Sequence, residues 1–255
     1  MTENVEINDL YAHDLKIYQN SDYFKVSLDS FLLADFVNIK SCKHRIIDLC
    51  SGNAPIPLLL SKKTNSIIYG VEIQNEVFEL AKRSVEINNL THDIVLLNVD
   101  VKELVNMFDS DSFNIVTCNP PYFKVDENSN INDNSIKAIA RHEIKITFEE
   151  IVKVAKKLLK RNGDFYFIHR TERLFEILDI LKRNKFEPKI IRFVYPKEGS
   201  ESNMVLIKAK KRGNPGLKMM YPLIVHNEDG TYKEEILKMF GVRNDTEELL
   251  WLWSW

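Results

Sequence analysis

The chain is poor in cysteine, and its three, Cys42, Cys50 and Cys118, never stand in a C-x-x-C pair. That spacing suggests neither a disulfide framework nor a cysteine zinc site. The six histidines show no H-E-x-x-H or comparable ligand pattern, so no metal is expected. No apolar run approaches the roughly 18 residues that cross a bilayer, and no membrane association is expected. The polar start Met1-Thr2-Glu3-Asn4 lacks the basic and apolar regions of a secretion signal, so the chain is expected to be cytoplasmic. Glycine is scarce too, 8 in 255 residues, and G-x-G-x-x-G is absent, which argues against a dinucleotide-binding loop.

What the chain does have is enough apolar content for one substantial core, and a length that allows one large or two small domains. Its net charge of −2 hides a division. Residues 1–150 carry 14 Lys/Arg against 23 Asp/Glu, residues 151–218 carry 18 against 7, and residues 219–255 carry 3 against 7. The middle block is thus basic by 11, with clusters at Lys156-Lys157, Lys160-Arg161, Lys182-Arg183 and Lys208 to Arg212. Such charges commonly make a solvated helix face, but their concentration is also what a phosphate-tracking surface needs.

Apolar periodicity alternates between strand and helix over the central two thirds of the chain. Strands are expected at Arg45 to Cys50, Ser66 to Ile73, Asp93 to Val99, Phe113 to Cys118, Asp164 to His169, Pro188 to Tyr195 and Asn203 to Ala209. Helices are expected at Pro55 to Lys62, from an Asn75 cap to about Asn88, at Thr147 to Leu159 and at Thr171 to Asn184. Thr147 with Glu150 has the spacing of a capping box. This order implies an α/β fold with a mostly parallel sheet, closed by an antiparallel hairpin, because Pro196 to Ser202 is too short for a crossover helix.

In open α/β sheets, ligands bind beyond the carboxyl ends of the strands. The first strand ends in Asp48 and runs into a loop whose single glycine is Gly52. The second ends in Glu72-Ile73, where an acid can accept hydrogen bonds from both hydroxyls of a ribose, and the third in Asp100-Val101, placed to accept from an adenine amine. The fourth ends in Asn119-Pro120-Pro121-Tyr122. The prolines have no N–H and fix φ, so the Asn119 side chain and neighbouring carbonyls can converge as acceptors beside an aromatic ring. That arrangement suits an exocyclic amine on a planar group. Asp48, Gly52, Glu72, Ile73, Asp100, Val101 and Asn119 are therefore the candidate cofactor residues. Several acids would repel a pyrophosphate, whereas a zwitterionic sulfonium cofactor tolerates them.

On these residues the sequence resembles S-adenosylmethionine-dependent adenine-N6 methyltransferases, and more closely the bacterial tRNA1(Val) (adenine(37)-N6)-methyltransferase family. The resemblance is carried by Phe24 to Ala34 (FKVSLDSFLLA), Asp48 to Leu60, Asn119 to Phe123, Ala140-Arg141-His142-Glu143, and Pro222 to Tyr232, and covers nearly the whole chain. Cys50 and Ala54 depart from it, standing where such loops usually carry glycine. It implies a class I methyltransferase, Rossmann-like domain over 41–212. An N-terminal arm over 1–40 would pack on the cofactor site, 123–146, whose Asn, Asp and Ser content predicts mobility, would form a substrate loop, and 213–255 a tail ending in a tryptophan cluster. Asn119 and the Pro120 carbonyl would orient the amine, and Tyr122, with Phe123, would stack on the base. Arg141 would contact phosphate or cofactor, or else pair with Glu143 or another acid. The basic surface of 151–218 would hold tRNA. Protein-glutamine N5-methyltransferases and DNA adenine-N6 methyltransferases share the Asn-Pro-Pro-Tyr turn, and a non-catalytic RNA-binding protein would share the basic block.

Overall fold

The structure, a computed structural model, describes residues 4–10, 14–23, 26–40, 44–123, 136–141 and 143–241. A hairpin of β1 (Val5–Asp9) and β2 (Lys16–Asn20) leads into helix α1 (Leu28–Phe36). The alternation then begins: β3 (Ile46–Leu49), α2 (Pro55–Ser61), β4 (Ile68–Val71), α3 (Asn75–Ile87), β5 (Ile94–Leu97), α4 (Leu104–Met107) and β6 (Phe113–Cys118). After α5 (Ile136–Arg141) come α6 (Phe148–Leu158), β7 (Leu159–Arg170), α7 (Leu174–Arg183), β8 (Phe186–Lys197) and β9 (Met204–Lys211). The chain continues through β10 (Lys218–Met219), β11 (Leu223–His226) and α8 (Glu234–Phe240).

Strands β5, β4, β3, β6 and β7 lie side by side and parallel, and β9 and β8 follow antiparallel. The expected mostly parallel sheet with a closing antiparallel hairpin is therefore the one present. Segment 213–241, read from the sequence only as a tail, adds β10 and β11, both parallel to β8.

Period-two alternation sorts the sheet's side chains onto two faces. Ile46, Ile68, Ile94, Ile115 and Ile168 share one core with α1 and α2, while Ile47, Val71, Val116, Phe165 and Phe167 share the other with α6 and α7. The N-terminal hairpin is tied to α3 by polar contacts. Ser84 accepts from the Tyr18 amide at 2.9 Å, and Asn88 accepts from the Lys16 amide at 2.8 Å while donating to its carbonyl. At the far end of α1, the Lys63 ammonium donates to the carbonyls of Ala34, Asp35 and Val37 at 2.8–2.9 Å, satisfying groups a helix end leaves open.

Several boundaries differ from expectation by one to five residues, and two of them have a clear local cause. Asn75 is the first helical residue of α3 and not its cap. Gln74 holds the cap position, and its amide is accepted at 2.9 Å by Glu72, a carboxylate already fixed at the strand end. Strand β7 begins at Leu159 instead of Asp164, because a register shift against β6 lets 160–163 bulge. Gly163 sits in that bulge, where a Cβ would meet the Leu159 side chain and the Lys160 carbonyl at 2.9 Å. The capping box forms as expected. Thr147 accepts from the Glu150 amide at 3.3 Å, and Glu150 accepts from the Thr147 amide at 2.8 Å. Thr147→Ala is expected to cost ~1 kcal/mol and lower Tm by roughly 2–4 °C in a thermal melt followed by circular dichroism; an unchanged melt would show the box to be idle.

Candidate functional site

The carboxyl ends of β3, β4, β5 and β6 open onto a cavity of about 450 Å³, closed on one side by α1 and on another by α5. Each strand end contributes differently. After β3 the chain turns through Cys50, Gly52 and Ala54, all at positive φ (58°, 58° and 69°). The loop thus keeps a glycine-like backbone at two positions without glycine, a conformation that costs an L-residue about 1–2 kcal/mol. At Gly52 a Cβ would meet nothing within 4 Å.

Glu72, after β4, is held by two backbone amides: Gly52 donates to Oε2 at 3.0 Å and Gln74 to Oε1 at 2.9 Å. Burial still raises its pKa, against those amides. Asp100, after β5, accepts from the Lys102 amide at 2.9 Å and pairs with the Lys102 ammonium at 3.3 Å. Asp48 lies deeper than expected, fully buried under the loop and not on the cavity wall. Its Oδ1 accepts from the Thr117 hydroxyl at 2.6 Å, and Oδ2 has no hydrogen-bond partner. Burial pushes its carboxyl up to about 7, against the pull of Thr117 and Ser51.

The Asn119-Pro120-Pro121-Tyr122 turn forms the wall after β6. The Tyr122 hydroxyl meets Asn119 Oδ1 and, at 2.9 Å, Asp29 Oδ2 on α1. Arg173, at the end of the turn that follows β7, donates to the Tyr122 carbonyl at 3.0 Å and to Glu143 at 2.9 Å, with Glu176 on its other edge. Glu143 in turn donates its amide to the Phe123 carbonyl at 2.7 Å. Beneath the Tyr122 ring lies His169, 5.4 Å away and fully buried. Its Nδ1 accepts from the Arg170 amide, and burial together with Arg173 pushes its pKa down to about 3, so it is neutral.

A family model, the methyltransferase small domain, matches residues 25–184, which span the arm helix, the cavity walls and the turn. The chain belongs to the methyltransferase small domain family. It is also 25% identical over 215 residues to the tRNA1(Val) (adenine(37)-N6)-methyltransferase of Aliivibrio salmonicida, an alignment covering 84% of this chain and 88% of that one. Among solved structures, a predicted O-methyltransferase of Agrobacterium tumefaciens superposes with a TM-score of 0.67 at 22% identity, covering 85% of this chain and 99% of the other. TYW2 of M. jannaschii, solved in complex with AdoMet, superposes with a TM-score of 0.57 at 13% identity, covering 82% and 86%. Those likenesses show the class I methyltransferase fold.

In this family member Gly52, Glu72, Ile73, Asp100, Val101, Asn119, Pro120, Tyr122 and Phe123 all line the one cavity, whereas Asp48 does not. Arg141 ends α5, and its side chain lies outside the described residues, as do 124–135 of the expected substrate loop and the Trp251 to Trp255 cluster. Glu143, offered in the sequence as a partner for Arg141, is paired with Arg173. The wall residues missed include Asp29, Ser30 and Lys145. Asp29 and Ser30 sit in the segment that carried the resemblance, but nothing local says which of its polar groups turns inward.

The basic block is partly consumed within the fold. Lys211 is buried on Asp111 and the Leu159 carbonyl, Lys208 and Lys210 both hold Asp164, and Arg192 holds Glu235. Seven of its members, exposed Lys157, Lys160, Arg161, Lys182, Arg183 and Lys185 with half-exposed Lys156, gather where β7 begins and α7 ends. That is the edge of the sheet opposite the cavity, about 20 Å of strand away, since Leu159 pairs with Phe113, six residues before Asn119. Among the described residues, no helix is long and apolar enough to cross a membrane, and no cluster of His, Cys, Asp or Glu could hold a metal ion.

The Asp48 carboxyl sets a pH dependence of stability. Its folded pKa exceeds the unfolded one, so its contribution is complete below about pH 4 and is lost as pH rises toward 7. Asp48→Asn is therefore expected to match the parent protein near pH 4 and to unfold at higher denaturant concentration above pH 7, without added cofactor; parallel curves at both pH values would overturn it.

Proposed function

We propose that the protein transfers a methyl group from S-adenosylmethionine to the N6 amine of an adenine in tRNA, the base at position 37 of tRNA1(Val) beside the anticodon. The observation that carries this reading is the Asn-Pro-Pro-Tyr turn standing in the same cavity wall as the carboxylates of Glu72 and Asp100. The relative's description supports the substrate, and the family supports the reaction.

The residues fit the cofactor. Glu72, oriented by two amides, keeps lone pairs for a ribose diol, Asp100 keeps one for an adenine amine, and Gly52 lets a ligand lie against the loop. Carboxylates suit a positive sulfonium and would oppose a pyrophosphate. When bound, S-adenosylmethionine supplies a methyl group already activated on a cationic sulfur. The protein's part is placement. Asn119 and the Pro120 carbonyl accept the hydrogens of the substrate amine, and Tyr122 and exposed Phe123 hold the base. No strong base is needed beforehand, since the nitrogen becomes strongly acidic only after it has gained the methyl, so positioning and charge complementarity dominate. A base drawn out of its loop loses stacking, which an aromatic contact offsets by roughly 1–3 kcal/mol. The lysines on the far edge bind the RNA backbone, which a folded RNA spanning the whole sheet can reach while its loop occupies the cavity.

Labelled S-adenosylmethionine offered with tRNA, DNA or protein, followed by nucleoside and amino-acid analysis, is expected to yield N6-methyladenosine from tRNA. Label in glutamine or DNA would instead select the rival reactions. Asn119→Ala is expected to slow turnover on the order of 100-fold or more, and near-normal turnover would sink the assignment of the turn. Charge reversal at Lys157, Lys160 and Lys182 together is expected to flatten the dependence of log K for tRNA on log salt. Lys211 is no probe of that surface, being buried on Asp111. An unchanged slope would remove the far edge from the interface.

A further inference from the structure

The Tyr122 hydroxyl carries one proton, yet it lies within hydrogen-bond reach of two acceptors, Asn119 Oδ1 and Asp29 Oδ2. These three residues come from the turn and from α1, 93 positions apart in the case of Tyr122 and Asp29. The chain of contacts closes in two ways. With Asp29 protonated, its hydroxyl donates to the Tyr122 oxygen and Tyr122 donates to Asn119 Oδ1, which keeps the carboxamide oxygen facing the tyrosine hydroxyl, as it does in the structure. With Asp29 ionised, Tyr122 donates to the carboxylate. Its oxygen then accepts from the Asn119 amide NH₂ after a half-turn of the carboxamide, and Oδ1 is released on the opposite side.

We propose that Asp29 is a positioning residue that, through the Tyr122 hydroxyl, decides which edge of the Asn119 carboxamide is offered to the substrate amine. This rests on the reading above that Asn119 receives an adenine N6. An amine presents hydrogens and needs an acceptor, so the ionised form of Asp29 is the productive one. The protonated form offers NH₂ to NH₂, which repels.

The surroundings hold Asp29 between the two forms. It is enclosed by protein except where it faces the cavity, and that burial favours the neutral acid, while Tyr122, Arg170 at the end of β7, and Ser27 favour the anion. The other elements packed on α1 add little. Helix α2 brings no ionisable side chain, and Lys208 of β9 is engaged by Asp164. On α8, Glu234 and Lys238 pair with each other and Glu235 pairs with Arg192. His169, beside Arg170, is neutral.

The test is single-turnover methyl transfer to tRNA from saturating S-adenosylmethionine, measured between pH 5 and 9 for the parent protein, Asp29→Asn, Tyr122→Phe and the double variant. In the parent protein the rate is expected to rise with pH through one ionisation and then level. Asp29→Asn cannot accept a proton as an anion does, and is expected to lose that acid limb and at least tenfold in rate at pH 8. Tyr122→Phe, which cuts the relay, is expected to lose the limb as well, and the double variant to be no slower than the slower single one. Multiplying losses, or an acid limb that persists in either single variant, would overturn the proposal. Should Asp29→Asn fail to fold, the limb in Tyr122→Phe decides the matter alone. Failure of the functional reading is seen separately, as a parent protein that makes no N6-methyladenosine at any pH.

Discussion

The Arg173 guanidinium is the interaction on which the site's geometry rests. One edge binds the carbonyl that follows the double proline together with Glu143, and the other binds Glu176 in the first turn of α7. Glu143 also accepts the first amide of α6 at 3.0 Å. A single, largely buried cation thus fastens the turn after β6, the segment returning from α5, the start of α6 and the start of α7. A buried pair of this kind is costly to break on one side, because the remaining charge is stranded. The double proline makes the turn stiff, and Arg173 gives that stiff piece a fixed place relative to the other strand ends.

Placement matters because the chemistry asks little else of the protein. The carboxyl ends of parallel strands bring residues far apart in sequence to one edge, and the cavity collects an acid, an acid and an acceptor turn from three of them. The fourth, Asp48, works from behind the wall. Joined to Thr117 across the β3–β6 pair, it stands under a loop with three left-handed residues, and its unpartnered Oδ2 marks a place where the fold keeps a buried polar group at the expense of stability.

Much of this was legible in the sequence. Strands β3 to β6 show short apolar runs between helical patterns, and their ends follow directly. The N-terminal hairpin was not legible, because β1 buries little and its register depends on side chains of α3. Helix α1 hid because five successive residues, Ser30 to Ala34, are buried, leaving no polar face to reveal a helical period. The partners Arg173 for Glu143 and Asp29 for Tyr122 span 30 and 93 positions, beyond any local pattern. The position of the lysine clusters could have been inferred. Because α7 and β9 run against β7, the end of each must lie beside the beginning of β7, away from the strand tips that carry the site.

Helix α1 is a strut gripped at both ends. Its last carbonyls are held by the Lys63 ammonium, whose pKa burial lowers, and near its first turn Asp29 meets the turn that bears Asn119. Neutralising the one lysine just beyond α2 would therefore loosen, through nine helical residues, a carboxylate in the cavity wall. The arm's hold on the cavity wall thus depends on a charge at its far end.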